Sequence, residues 1–251
     1  MRLIVHNTDG RYTTPEHIQN RVYTSYLNLP GEGAEPKLVP HEPGTKDPRA
    51  DEEERAAVRR TRAYRIEAGV KLTYLAFLVK AVALALKEVP IVNASLDESA
   101  GEIVLHDRYH IGIAVATPAG LVVPVVRDAD RKDLAAVARD IDRLSSEARA
   151  GKSRREDLRG GTFTVTSIGN VGGLISTPII NPPEVGILGV GKVVKRPVFD
   201  AAGNVRPAEM VYLSFSFDHR VVDGAVGAAF GNAVTKHLRN PAALLLPETL
   251  K

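Results

Sequence analysis

The sequence predicts an α+β domain, a mixed β-sheet sandwich with flanking helices. Residues 72–88, 133–150 and 223–238 carry apolar side chains at helical spacing. Between them lie several short β-rich runs. Most of those runs come as pairs joined by turn residues rather than alternating strictly with helices, which disfavours a doubly wound parallel sheet. With 251 residues and 44% hydrophobic content, the chain is large enough to bury a substantial core.

In chain order, Arg2 to His6 reads as a strand, and Thr14-Pro15-Glu16 as the start of a short helix. Prolines at 30, 36, 40, 43 and 48 leave only a loop or extended arm there. Glu52 to Arg65 is charged and helix-compatible but has no continuous apolar stripe. The signal sharpens near Gly69, so an atypical N-terminal segment (1–65) and a main domain (66–251) are expected. Leu72 to Glu88, apolar nearly all round, predicts a buried helix stopped by Pro90. Ile91–Leu96 and Glu102–His106 flank an Asp-Glu-Ser-Ala-Gly turn, and Ile111–Thr117 and Leu121–Val126 flank Pro118-Ala119-Gly120. Asp133 to Ala150 sets Leu134, Val137, Ile141, Leu144 and Ala148 on one face, as in a helix packed on a sheet. Strands follow at 162–166, 185–194 and 209–217, then a helix from Asp223 to Leu238.

Composition removes whole classes of function. Thirty-three basic against thirty acidic residues give a formal charge of +3, without the basic, aromatic-interleaved stripe of a nucleic-acid binder. There is no cysteine, hence no disulfide, thiolate metal site or cysteine nucleophile. No uncharged apolar run approaches a membrane span, and Met1–His6 is too short an apolar start for a secretion signal. A soluble, cytoplasmic protein is expected.

Three segments carry candidate chemistry. In Phe217-Asp218-His219-Arg220-Val221-Val222-Asp223-Gly224, His219 falls where a strand ends and a helix is about to begin. Such a junction holds a side chain rigidly yet leaves it open to substrate, which suits a general base. A carboxylate four residues on, Asp223, can fix its tautomer or surroundings, although on a helix such a pair is commonly a surface contact. In Gly160–Gly169, hydroxyls at a strand end beside glycines can donate to a developing oxyanion, or can satisfy a turn's own backbone. The 178–191 run, with its prolines and glycine-punctuated strand, could line a narrow channel or simply cross over. Neither a P-loop nor a dinucleotide fingerprint is present.

Together these segments resemble the catalytic domain of the dihydrolipoyl acyltransferases, the core component of 2-oxoacid dehydrogenase complexes. The matching stretches are 69–75, 111–115, 120–126, 160–169, 178–191 and Asp-His-Arg-Val-Val-Asp-Gly-Ala at 218–225. The resemblance implies a chloramphenicol acetyltransferase-like fold and acyl transfer, acetyl favoured over branched-chain, between dihydrolipoamide and coenzyme A. It assigns His219 as general base, Thr166 as oxyanion donor and Asp223 as a carboxylate that holds the site's geometry. It places coenzyme A contacts at Thr73, Ser167, Asn170 and Gly191, and no metal. It further implies a homotrimer with the channel between copies, histidine from one and hydroxyl from its neighbour. Trimers would assemble into a larger core served by lipoyl domains and the dehydrogenase components, with no nucleic-acid or membrane partner.

Three departures from the family pattern stand out. No arginine-rich helix aligns within 1–65, where Arg55, Arg59 and Arg62 are loose candidates for its basic residues. Ala116 stands where the family usually has an aspartate. No lipoyl domain is legible, so the lipoyl group is expected from a domain outside this chain. The alternatives are a non-catalytic oligomeric core with the same fold and, more remotely, a metal-dependent hydrolase using Asp218, His219, Asp223 and His237.

Overall fold

The computed structural model describes residues 3–6, 69–199 and 203–245, without the side chains of residues 3–6, Asn170 and Ala242. The expectations for residues 7–68, including the Thr14 cap, the proline-rich arm, the charged 52–65 segment and the boundary at 65/66, lie outside the described residues. Strand β1 (Leu3–His6) runs antiparallel to β3 (Glu102–Leu105), whose other edge takes β2 (Ala94–Asp97). Helix α1 (Tyr74–Glu88) precedes β2, and its residues from Leu78 to Leu86 are all buried. That burial matches its all-round apolar sequence. Pro90–Val92 forms a short 3-10 turn, so β2 begins later than the sequence predicts.

One charge inside α1 has a structural reason. Lys80, 3% exposed, donates from Nζ to the carbonyls of Ala129 (3.3 Å), Asp130 (2.5 Å) and Lys132 (2.6 Å). A buried ammonium persists only where such acceptors replace water. These bonds tie α1 to the loop ahead of α2 (Leu134–Arg149), where the Asp133 side chain accepts from Ala136 N–H.

The main sheet has five strands in the order β12-β9-β8-β4-β7. They are β4 (Ile111–Ile113), β7 (Val125–Val126), β8 (Phe163–Ser167), β9 (Gly186–Val190) and β12 (Leu213–Phe217). The centre is parallel, β4 with β8 and β8 with β9, while β7 and β12 close the edges antiparallel. The sheet is therefore mixed, as expected, although its parallel centre was not legible from the hairpin signals. The hairpin predicted over 111–126 divides in two. β4 pairs β7 in the main sheet, while β5 (Val115–Thr117) and β6 (Gly120–Val122) form a separate ribbon. The break falls at Pro124, which cannot donate to a ladder and instead accepts from Ile113 N–H.

A second ribbon, β10 (Val194–Phe199) with β11 (Val205–Met210), was absent from the sequence reading, which gave single strands over 185–194 and 209–217. Its side chains are mostly exposed, and Pro197 faces Pro207, which a two-stranded ribbon with open outer edges tolerates. Helix α3 (Gly224–Arg239) follows β12. In the core, the Phe230 ring of α3 packs tilted against Phe215 of β12 at 4.8 Å and against Phe163 of β8 at 5.3 Å, measured between ring centres. This aromatic cluster joins the helical layer to the sheet at the start of β8 and the middle of β12.

Candidate active site

His219 sits on a turn held at both ends. Asp218 N–H donates to Val185 O (2.8 Å), carrying the β12–β9 ladder one residue past Phe217. The amides of Val221 and Val222 then both return to Asp218 O, at 3.0 and 2.9 Å. Val222 is fully buried, and Asp223 accepts from Val226 N–H (2.8 Å) as the N-cap of α3. The His219 ring is exposed and lies 5.8 Å from the ring of Phe217. Asp223 thus meets the helix terminus, where a capping carboxylate satisfies an orphan amide.

The residues flanking His219 form a brace. Arg220 donates through Nε (3.0 Å) and Nη2 (2.6 Å) to Asp218, and through Nη1 to Glu98 in the β2–β3 turn (2.8 Å). Burial pushes the Asp218 carboxyl up, but the Arg220 bonds outweigh it and leave Asp218 below its ordinary range. The same bonds raise the Arg220 guanidinium. This brace was missed in the sequence, where only the direct run Asp218-His219-Arg220 could have suggested it.

The second group gathers at the far end of the sheet. Thr166 lies opposite Gly189 and Ser167 opposite Val190, where β8 runs into the turn Gly169–Val171. Gly191 is buried, with its N–H on Tyr212 O (2.9 Å). Gly189 leaves no room for a Cβ, which would meet Ser176 Oγ at 2.5 Å, so the loop after the glycine-rich turn lies directly against the strand beside Thr166. Thr73 precedes α1, is exposed and makes no side-chain capping bond. Its neighbour Tyr74 donates to Glu209 of β11 (3.3 Å), which brings the start of α1 to this same end. Asn170 falls in the turn, but its side chain is outside the described ones. Ala116 is exposed on β5.

His219 and Thr166 are not brought together within one chain. Strand β9 serves as the ruler, with Thr166 opposite Gly189 and Asp218 bonded to Val185. At about 3.3 Å per residue and about 4.8 Å per strand, this places the start of the His219 turn roughly 16 Å from Thr166, backbone to backbone. No hydrogen bond spans that. The metal alternative does not converge either. Asp218 is paired with Arg220, Asp223 caps α3, and His237 at the other end of α3 contacts Glu88 at 2.7 Å.

At the end of the sheet where β4, β8 and β9 begin lies a groove of about 1330 Å³, bounded by the β2–β3 turn, residues 158–162 and the segment Asn181–Glu184. On its floor Glu184, 6% exposed, accepts from Thr164 Oγ1 (2.6 Å) and Asn181 Nδ2 (3.1 Å). Burial pushes its carboxyl up to about 7, against the pull of those two bonds. No motif marks Glu184 in the sequence beyond its place as a lone acid just ahead of an apolar strand.

Residues 40–246 match the family model for the 2-oxoacid dehydrogenases acyltransferase catalytic domain. The chain belongs to this acyltransferase family. It is similar to the lipoamide acyltransferase component of the branched-chain alpha-keto acid dehydrogenase complex of Pseudomonas aeruginosa, at 47% identity over 70% of this chain and 41% of that protein. It is also similar to the dihydrolipoyllysine-residue acetyltransferase component of the pyruvate dehydrogenase complex of Staphylococcus epidermidis, at 44% identity over 72% and 41%. The family member described here thus spans about two fifths of the length of these curated relatives. Among solved structures, it resembles the Azotobacter vinelandii dihydrolipoamide acetyltransferase, with TM-score 0.70 and 42% identity over 78% of this chain and 79% of that one. That structure was examined for the role of a serine, a histidine and an asparagine in catalysis. A truncated catalytic core of the 2-oxoacid dehydrogenase complex of Thermoplasma acidophilum matches with TM-score 0.61 and 42% identity, over 68% of this chain and 76% of that one.

Proposed function

We propose that this chain transfers an acyl group, acetyl in the favoured case, between dihydrolipoamide and coenzyme A within a 2-oxoacid dehydrogenase complex. The observation that carries this reading is the gathering of Thr73, Thr166, Ser167 and Gly191 at one end of the sheet in a member of the acyltransferase family. His219, on its rigid turn at the other end, serves as the base. Because roughly 16 Å separates the two ends in one chain, the proposed site is shared, with His219 of one copy facing Thr166 of the next in a homotrimer. Trimers then build a larger core served by lipoyl domains and the dehydrogenase components. The core of a pyruvate dehydrogenase complex solved as a cubic assembly, 42% identical to this chain, supports that arrangement. Among the described residues no helix is long and apolar enough to cross a membrane, and the cytoplasm is the proposed location.

The chemistry follows from the groups present. His219 takes the proton of the attacking thiol, and the thiolate sulfur bonds to the thioester carbon. The carbonyl electron pair moves to oxygen, where the Thr166 hydroxyl donates to it. As the oxyanion collapses, the original carbon–sulfur bond breaks, and His219 returns its proton to the departing thiolate. Asp223 and the Asp218–Arg220 brace hold the turn, and move no proton.

The test is formation of S-acetyldihydrolipoamide from acetyl-coenzyme A and dihydrolipoamide by the purified protein, with His219→Ala alongside. Loss of turnover in the variant is expected. Equal rates in the two would sink the proposal, and a large assembly by light scattering that binds no coenzyme A by calorimetry would favour the non-catalytic core.

A further inference from the structure

Glu184 is a buried acid with no role in the transfer steps above. Its described hydrogen-bond partners, Thr164 and Asn181, are neutral. Ionisable groups approach it from every side of the groove. Asp97 and Glu98 come from the β2–β3 turn, and His106, Asp107, Arg108 and His110 from the chain between β3 and β4. Arg127 follows β7, and Arg159 precedes β8. Beyond the adjacent Val185, whose carbonyl holds Asp218 N–H, the His219 turn carries Asp218 and Arg220, which neutralise one another. None of these groups pairs with the Glu184 carboxyl. A buried carboxylate without a cation is costly in its charged form and holds its proton towards neutrality.

Its position gives that proton a consequence. Thr164, which donates to Glu184, lies on the same face of β8 as Thr166, about 7 Å along the strand. The chain ahead of β8 is packed against the same carboxyl, since a Cβ on Gly161 would meet Glu184 Oε1 at 2.9 Å. The carboxyl is thus tied through Thr164 to the strand that carries Thr166, where, on the acyl-transfer reading, negative charge gathers in the transition state.

We propose that Glu184 is a second titrating group of the acyl-transfer site, a positioning residue whose ionisation opposes the oxyanion held by Thr166. It touches neither substrate nor reacting atoms and acts through β8. Neutral, it leaves the Thr166 end free to receive negative charge. Ionised, it places a like charge behind the buried Thr164, two positions before Thr166 on the strand, which slows turnover by roughly tenfold. Glu184 thus sets a limb on which transfer falls as pH rises. The inference rests on the proposed acyl transfer for its kinetic meaning, but its structural half stands independently.

The experiment compares wild type with Glu184→Gln, which keeps one of the two acceptor oxygens and cannot ionise, in the assembled full-length protein. Turnover at saturating substrates is measured from pH 5.5 to 8.5. The ratio of variant to wild-type kcat is expected to rise about tenfold as pH passes from 5.5 to 8.5 through about 7. A merely structural role would shift that ratio equally at all pH values, and a flat ratio in an active enzyme overturns the proposal. In parallel, the threonine methyl resonances of Thr164 and Thr166 are followed against pH in methyl-labelled protein. A shared midpoint near neutrality, lost in the variant, is expected. If the wild type transfers no acyl group but the methyls titrate, the acyl-transfer reading falls and the coupling of Glu184 to β8 stands. Methyls that do not respond to pH overturn the proposal, whatever the activity.

Discussion

Replacing Arg220 with methionine tests what holds His219 in place. Methionine keeps much of the apolar stem but removes the guanidinium that binds Asp218 through two nitrogens and Glu98 through the third. The Asp218 side chain is 14% exposed and that of Arg220 28%. The pair therefore lies between a surface ion pair, worth about 0–1 kcal/mol, and a fully buried one, whose disruption costs about 3–5 kcal/mol. Glu98, 68% exposed, adds little. A cost of about 2 kcal/mol follows, most of it the penalty of leaving Asp218 half-buried and unpaired. The pH dependence has a definite sign. Asp218 is depressed in the folded state, so its contribution is present above the unfolded carboxylate value and lost as pH falls through the folded one. Urea denaturation of wild type, Arg220→Met, Asp218→Asn and the double variant, at one protein concentration, forms a cycle that isolates the pair. A coupling of about 1–2 kcal/mol at pH 7 is expected. It should shrink in acid as Asp218 protonates. Coupling near zero at pH 7 would refute the account of the turn as braced by this pair.

Three further outcomes are expected. Thr166→Ala should lower kcat by about 10²–10³ with little change in KM for coenzyme A, measured by steady-state transfer kinetics. Asp223→Ala, which removes the α3 cap, should cost about 1 kcal/mol in urea denaturation, while Asp223→Asn retains most of it because asparagine also caps. His110 is held neutral by burial, and its Nδ1 accepts from Asp128 N–H at 3.0 Å. Its folded value is depressed, so the stability it contributes is full above about 6.5 and lost as pH falls through the folded value. Glu184 acts oppositely, with stability present below about 4.5 and lost as pH rises through about 7. Denaturation midpoints of His110→Asn against pH, in the Glu184→Gln background, should therefore show a reduced acid-side loss.

The helices were legible because their signals are local. Leu134, Val137, Ile141 and Leu144 repeat on one face, and that face is buried in α2. Asp133 and Asp223 both stand where the apolar periodicity begins, and both prove to be N-caps. The strands were legible as elements but not as a sheet. Nothing local in Phe163–Ser167 says that it runs parallel to both Ile111–Ile113 and Gly186–Val190, because pairing depends on how the chain crosses over between them. The β10–β11 ribbon carries no signal in the sequence because its exposed strands show no apolar alternation. At the candidate site, the strand-to-helix position of His219 followed from sequence alone, since a β-rich run gives way to a helical one. Its ties did not. Arg220 reaches Glu98 across 122 positions, and Glu184 reaches Thr164 across 20, distances at which sequence spacing carries no signal.

The distance between Thr166 and His219 has a consequence for mixtures. On the acyl-transfer reading, a chain lacking the histidine and a chain lacking the threonine are each inert alone, yet each still owns the half that the other needs. Co-assembled at equal amounts, they would restore about one quarter of the sites to full composition, as random pairing across a ring of identical interfaces dictates. Dilution would do the reverse, silencing intact chains simply by parting them. Activity would then belong to the seam between neighbours, and a lone molecule, however well folded, would carry two unmatched halves.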